Sequence, residues 1–350
     1  MKWLVEHLPH ISKVNTTIET TENVILTKIC ENSIEIGWND DNYKVIKLPH
    51  RINTTMKWTS KKSKNTLIVR FNAKKCQEDA IYTDRSKNFL MSTNNRKWMR
   101  LGLNKEAFKI LCRVCKSALL ESDECQKISD MPSEFWAELM DYWHCHKPHL
   151  GEDNLGPERY GKLVPHHNEL LVGETYFAVG PNWSGKGVSI KDDVLDCGRC
   201  QSKRGFRTRD GVFKIPKWNV ELQQAGAIET VPRDIGVIAA ITNTINSNAT
   251  RYILLWCKDD PKAILCWIFA VGINASFANG EILLNCMKVY FTVSESRGLL
   301  KNTMKDQNIE ELLVERAELQ SFKERLLKND SLLPSELQRM GDWNLAFVPT

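Results

Sequence analysis

The sequence predicts an α+β fold that is predominantly β. An N-terminal β-sandwich or barrel-like sheet is expected over residues 1–105, a cysteine-bearing insert with a helix at 133–146 over 106–205, and a C-terminal α+β region with a long terminal helix over 206–350. Three observations carry this. Short runs rich in Val, Ile, Thr and aromatic residues recur in the first hundred residues. The middle of the chain holds two Cys-x-x-Cys pairs. The last part combines near-continuous apolar runs with helical periodicity.

In the first part, residues 24–30, 33–38, 44–48, 66–71 and 89–92 read as strands, because β-branched and aromatic side chains fit a pleated, half-buried surface. Asn39-Asp40-Asp41-Asn42 lies between two alternating segments and signals a hairpin. In the second, residues 105–111 lead into Cys112 as a short helix or strand. Pro132-Ser133-Glu134 opens a helix on which Trp136, Leu139, Met140 and Trp143 share one stripe, read as core. That helix delivers His144-Cys145-His146 at its end, and Lys147-Pro148 stops it. In the third, residues 234–246 read as a helix, and 251–257, 263–273 and 282–293 as central strands. A helix is expected over 308–328, capped by Asn308 with Glu311 three residues on. Ile309, Leu312, Leu319, Phe322 and Leu326 would form its apolar face, packed on the sheet.

The hydrophobic share of 42% and charged share of 26% are those of a globular chain and exclude wholesale disorder. The opening residues, Met1 to His7, lack the apolar core of a signal peptide, so a soluble intracellular protein is expected. The longest apolar run, 263–273, is too short for a membrane span, so no membrane partner is expected. Eleven cysteines without a secretory signal point to reduced thiols and metal ligation rather than a disulfide framework. The net charge of +5 is mild, but ten Lys/Arg and no acid lie between Lys44 and Lys75. Two readings of this stretch stand: RNA contact through phosphates, or a solvated β face with Lys61, Lys62 and Lys64 at a turn.

Four motifs could carry chemistry. Cys112-Arg113-Val114-Cys115 and Cys197-Gly198-Arg199-Cys200 each let one tight turn present two thiolates to one ion. Zinc takes four such soft ligands in a tetrahedron, so Cys112, Cys115, Cys197 and Cys200 are the expected ligands of a structural Zn2+ that organises the insert. The separation of 81 residues between the pairs is long for a compact zinc module. Cys145 has three open readings: a metal ligand with His146 or His149, a catalytic nucleophile beside an imidazole, or a small buried residue at a helix end. His166-His167 is a further candidate pair or a surface loop. The last motif, 180–187, matches a phosphate loop for seven places, but Gly187 stands where Ser or Thr would hold magnesium. No helix opens after it, so it is read as a hairpin turn.

Taken in order, Cys112-x-x-Cys115, Met131-Pro132-Ser133-Glu134-x-Trp136, Trp143-x-Cys145-His146, Cys197-x-x-Cys200 and Leu332-Leu333-Pro334-Ser335-Glu336-Leu337 through Gly341-Asp342-Trp343 resemble the HECT-like E3 ubiquitin ligases described as E2-binding proteins. Length and the start Val5-Glu6-His7-Leu8-Pro9 are also similar to the family's fungal member connected with messenger RNA cleavage and polyadenylation. The resemblance implies E2 ubiquitin-conjugating enzymes as partners, ubiquitin transfer as the activity, and a link to pre-mRNA 3′-end processing in nucleus and cytoplasm. The alternative it leaves open is a non-catalytic adaptor that stabilises an endonuclease subunit of the cleavage and polyadenylation machinery. A HECT ligase carries its transfer cysteine near the C-terminus. Here the last cysteine, Cys286, lies in an apolar strand-like run, so Cys145 is the better thioester candidate.

Overall fold

The computed structural model describes residues 1–39, 42–75, 97–131, 165–208, 211–248, 250–298, 300 and 308–350. The chain forms two compact units, one of Met1–Phe89 with Val237–Thr350, the other of Leu90–Gly236. The fold is predominantly β, with several sheets and few helices. No helix among the described residues is long and apolar enough to cross a membrane.

The first unit is built on a ten-stranded sheet. Its strands are β1 (Lys2–Leu8), β2 (Lys13–Glu19), β6 (Thr59–Lys62), β7 (Thr66–Asn72), β19 (Tyr252–Cys257), β20 (Asp260–Phe277), β21 (Ile282–Ser294), β22 (Ile309–Leu313), β23 (Arg339–Met340) and β24 (Trp343–Pro349). The order is β23-β24-β21-β20-β1-β2-β7-β6, with β19 pairing β20 and β22. Strand β1 joins the two ends of the sequence, pairing antiparallel with β2 on one side and β20 on the other. Successive side chains of a strand point to opposite faces, and β1 shows it: Trp3 and Val5 enter one core, Leu4 another. With both faces covered its sequence does not alternate, and neither β1 nor β2 was among the expected strands. Strand β20 serves two neighbours in turn, pairing β19 through residues 260–267 and β1 through 274–277. Between these stretches its register with β21 shifts, next to Gly272 and Asn285 in left-handed conformations (φ 72° and 49°).

A three-stranded sheet, β3 (Ile25–Cys30), β4 (Ser33–Asn39) and β5 (Asn42–Lys47), covers one face. Ile34, Ile36 and Ile46 pack with Val14, Ile18, Leu67 and Val69, which makes the expected N-terminal sandwich. The pairing Asn39↔Asn42 places a hairpin where the polar break predicted one. The basic stretch falls on β5, β6 and β7 and their loops.

Helix α1 (Ile235–Asn248) matches the expected helix at 234–246. The terminal helix corrects the expectation. Residues 309–313 are strand β22, parallel to β19, and helix α2 covers Arg316–Ser331. Ile309 and Leu312 satisfy a helical spacing, but the edge of β19 offers them a backbone ladder instead. Leu319, Phe322 and Leu326 do form the buried face of α2. Asn329 Oδ1 accepts the Phe347 N–H at 2.7 Å, fixing the helix to β24.

The second unit holds two sheets. The four-stranded one runs β18 (Ala227–Thr230), β17 (Val220–Gln224), β8 (Phe108–Cys112), β9 (Ala118–Glu121). The seven-stranded one runs β10 (Lys127–Asp130), β11 (Glu169–Val172), β12 (Tyr176–Val179), β16 (Phe213–Pro216), β15 (Lys203–Arg207), β14 (Val194–Cys197), β13 (Val188–Lys191). Both sheets contribute to one core, in which Phe108, Ile110 and Leu120 meet Phe177, Leu195 and Ile215. The expected strand at 89–92 and helix at 133–146 lie outside the described residues.

Candidate metal centre

Each Cys-x-x-Cys pair sits at the tip of a β-hairpin, Cys112–Cys115 between β8 and β9 and Cys197–Cys200 between β14 and β15. The two tips have the same construction. Lys116 N–H donates to Cys112 O at 2.8 Å, and Gln201 N–H to Cys197 O at 2.9 Å. Lys116 and Gln201 take left-handed φ values of 60° and 56°. Cys112 N–H then donates to Ser117 O and Cys197 N–H to Ser202 O, at 2.8 and 3.0 Å, closing each turn. The chain therefore reverses within six residues and leaves both sulfurs of a pair on the inside of the turn.

The fold brings the pairs together. All four sulfurs lie within 4.8 Å of one another. Cys112 Sγ is 3.7 Å from Cys200 Sγ, and Cys115 Sγ 3.6 Å from Cys197 Sγ. A tetrahedron of sulfurs about 2.3 Å from a central ion has edges of about 3.8 Å, so these residues could hold one metal ion. Cys112 and Cys197 are buried; Cys115 and Cys200 are partly exposed.

Sequence spacing did not single out the serines. Ser117 Oγ lies 3.0 Å from Cys115 Sγ and 3.2 Å from Cys197 Sγ, bridging the pairs. Ser202 Oγ lies 2.9 Å from Cys200 Sγ and 3.6 Å from Cys112 Sγ. The signal that could have found them is the repeat Cys-x-x-Cys-x-Ser at 112–117 and 197–202. Their effect is electrostatic. Hydrogen bonds from the Ser117 side chain, then its backbone, bring the Cys115 thiol down to about 6. Ser202 lowers Cys200 in the same way, whereas burial pushes Cys112 up. The Arg113 guanidinium donates to the carbonyls of Trp218 and Val231, at 2.6 and 3.2 Å, and Arg199 is exposed.

The other candidates fall elsewhere. Cys145, His146 and His149 lie outside the described residues. His166 and His167 are on a loop, with the His166 N–H on Glu169 and His167 Nδ1 on Asn182 O. The 180–187 segment connects β12 to β13, which are not neighbours in their sheet. It is a crossover loop rather than a hairpin, and a strand, not a helix, follows it. Cys286 is fully buried, donates to Ile273 O at 2.9 Å, and burial raises its pKa strongly.

The profile of a family described as HECT-like, ubiquitin-conjugating-enzyme (E2)-binding matches residues 6–345. The chain belongs to this HECT-like, E2-binding family. An uncharacterized protein of Saccharomyces cerevisiae is 28% identical over 350 residues, covering 99% of each chain. An E3 ubiquitin-protein ligase of Rattus norvegicus is 20% identical over 267 residues, covering 69% of this chain and 70% of that one. The Mus musculus counterpart is 20% identical over 270 residues, covering 69% and 71%. No solved structure matches the chain. The family profile spans both Cys-x-x-Cys hairpins of this HECT-like chain.

Proposed function

We propose that this chain binds E2 ubiquitin-conjugating enzymes and acts as an E3-like factor in ubiquitin transfer, with a structural zinc ion held by Cys112, Cys115, Cys197 and Cys200. The observation that carries the first part is the family match across residues 6–345. The rodent relatives named E3 ubiquitin-protein ligases support the transfer reading. The zinc reading rests on an all-sulfur donor set at tetrahedral spacing, which suits a soft, four-coordinate ion. Zinc there would supply a cross-link, not chemistry, since the protein fills all four positions. Incubating the purified protein with E1, ubiquitin and a panel of E2 enzymes tests the proposal. Binding of at least one E2 and ubiquitin transfer are expected, with a reducible thioester on Cys145. Equal transfer by Cys145→Ala removes that cysteine from the mechanism, and no binding to any E2 sinks the reading.

Three described thiols outside the four-cysteine cluster support a second, non-catalytic reading. Cys266 and Cys286 are fully buried and hold their protons, and burial pushes Cys125 up to about 12. Thiols of this kind are poor nucleophiles. In this reading the chain acts in nucleus and cytoplasm as an adaptor that stabilises an endonuclease subunit of the cleavage and polyadenylation machinery. Affinity purification that recovers no such subunit would dismiss it. RNA contact through Lys44 to Lys75 predicts affinity that falls steeply with salt; no binding at low salt rules it out.

A further inference from the structure

Strand β6 is the end strand of the ten-stranded sheet, and its residues, Thr59 to Lys62, are all exposed. Its register shows which backbone groups are spare. Thr59 faces Arg70 of β7, Ser60 faces Val69, Lys61 faces Ile68 and Lys62 faces Leu67. Where this hairpin turns, the Ser63 N–H donates to Thr66 O at 2.8 Å. Hydrogen-bonded and non-hydrogen-bonded pairs alternate from that point, so Thr59 and Lys61 direct their backbone groups to β7. The other neighbour of β7 agrees: the Thr20 N–H donates to Asn65 O at 2.9 Å, which assigns Leu67 and Val69 to β2 and leaves Ile68 and Arg70 for β6. The N–H and C=O groups of Ser60 and Lys62 therefore point away from the sheet, and among the described residues nothing bonds them.

The charge along this edge is uncompensated. Lys57, Lys61, Lys62, Lys64 and Arg70 are exposed, and among the described residues none of them has an ion pair. Lys62 Nζ bonds the neutral amide oxygen of Asn23. The acids on the neighbouring turn do not cancel these cations: Glu19 accepts the Ser335 N–H, and Glu22 bonds none of the five. Trp58, directly before β6, is 41% exposed and rests on Phe71 with ring centroids 6.1 Å apart. An edge that carries lysines resists pairing with a neutral or basic strand, including a second copy of itself. It accepts an acidic one, whose carboxylates answer the cations while its backbone takes the spare groups of Ser60 and Lys62. The phosphates of RNA would answer the cations but offer no N–H and C=O ladder to the strand.

We propose that β6 is the docking edge for an extended acidic peptide segment of a protein partner, which adds to the sheet as a further strand. Successive side chains of β6 alternate between faces, so carboxylates of the added strand meet Lys61 and Arg70 on one face and Lys62 on the other, with an apolar residue against Trp58. Main-chain pairing supplies general affinity, and the cations supply selectivity for acidic side chains. The proposal rests on neither E2 binding nor the metal.

Fluorescence anisotropy of a labelled, acetylated Leu-Glu-Glu-Glu-Leu peptide with the full chain tests this. The Gln counterpart, the same Glu peptide N-methylated along its backbone, and a labelled oligouridylate are the other probes. The Glu peptide should bind, and the Gln and N-methylated peptides should each bind at least about tenfold more weakly. Lys61→Glu with Lys62→Glu should weaken the Glu peptide similarly, while Lys191→Glu on β13, the same charge change elsewhere, should leave it unchanged. No binding of the Glu peptide, equal binding of the Glu and Gln peptides, undiminished binding of the N-methylated peptide, or an equal loss in Lys191→Glu would each overturn the proposal. Oligouridylate that binds more tightly than the Glu peptide, and loses its affinity in the Lys61 and Lys62 variant, would also overturn it and assign the edge to RNA. The three peptide comparisons use the wild-type chain, so they decide even if the double variant fails to fold.

Discussion

Lys116 and Gln201 show how single residues shape the cysteine hairpins. Each holds a left-handed backbone so that the carbonyl of the next residue accepts the N–H of the first cysteine and closes the turn. A β-branched side chain is strained there. Gln201→Val should therefore cost about 1–2 kcal/mol in chemical denaturation, whereas Gln201→Gly should be close to neutral. The serines act on the sulfurs. Ser117 brings the Cys115 thiol from an ordinary value of 9.0 to about 6. The sign follows from a thiol more acidic in the fold than in the unfolded chain. It contributes stability that is complete above about pH 9 and is lost as pH falls through about 6. Metal loading acts in the same direction, since protons compete for thiolates. Metal retention should thus fall sharply below about pH 6 in wild type, and at higher pH in Ser117→Ala, as read by a colorimetric zinc chelator across a pH series.

At the scale of elements, two contacts have definite consequences. A Cβ on Gly187 would lie 2.2 Å from Ala118 O and 2.6 Å from Leu119 O, so only glycine lets the crossover loop lie against β9. Gly187→Ala should cost about 1–3 kcal/mol, because backbone rather than a movable side chain must give way. In α2, Phe322 is completely buried. Phe322→Ala should cost about 3–5 kcal/mol, measured by urea denaturation, with secondary structure kept by circular dichroism. The same helix shows where local sequence stops being informative. Leu319, Phe322 and Leu326 could be read as one buried face because their spacing fits only a helix. Ile309 and Leu312 fit either a helix or a strand, and the decision came from the free edge of β19, more than fifty residues earlier. Strand β1 escaped notice for the opposite reason: cores on both faces remove the alternation that marks a half-buried strand.

For the whole molecule, the four sulfurs join a hairpin of the four-stranded sheet to one of the seven-stranded sheet within a single unit. Chelation should therefore destabilise residues of both sheets together. Hydrogen exchange should rise in β8, β9, β14 and β15 on adding a zinc chelator, while β1 and β2 of the other unit stay protected. Exchange unchanged in all four hairpin strands would show that no metal supports them. The sequence by itself determined the mainly β character, the three strands β3, β4 and β5 of the smaller sheet and the two Cys-x-x-Cys turns, because periodicity and a two-residue gap are local properties fixed by backbone geometry. Only the tertiary structure decided that sulfurs 88 residues apart meet, as Cys112 and Cys200 do at 3.7 Å, and that Ser117 bridges the pairs. It also decided that the first strand lies beside β20. Long-range contacts of this kind depend on which sheet edges and apolar faces remain unpaired once the local elements have formed, and no local pattern encodes that.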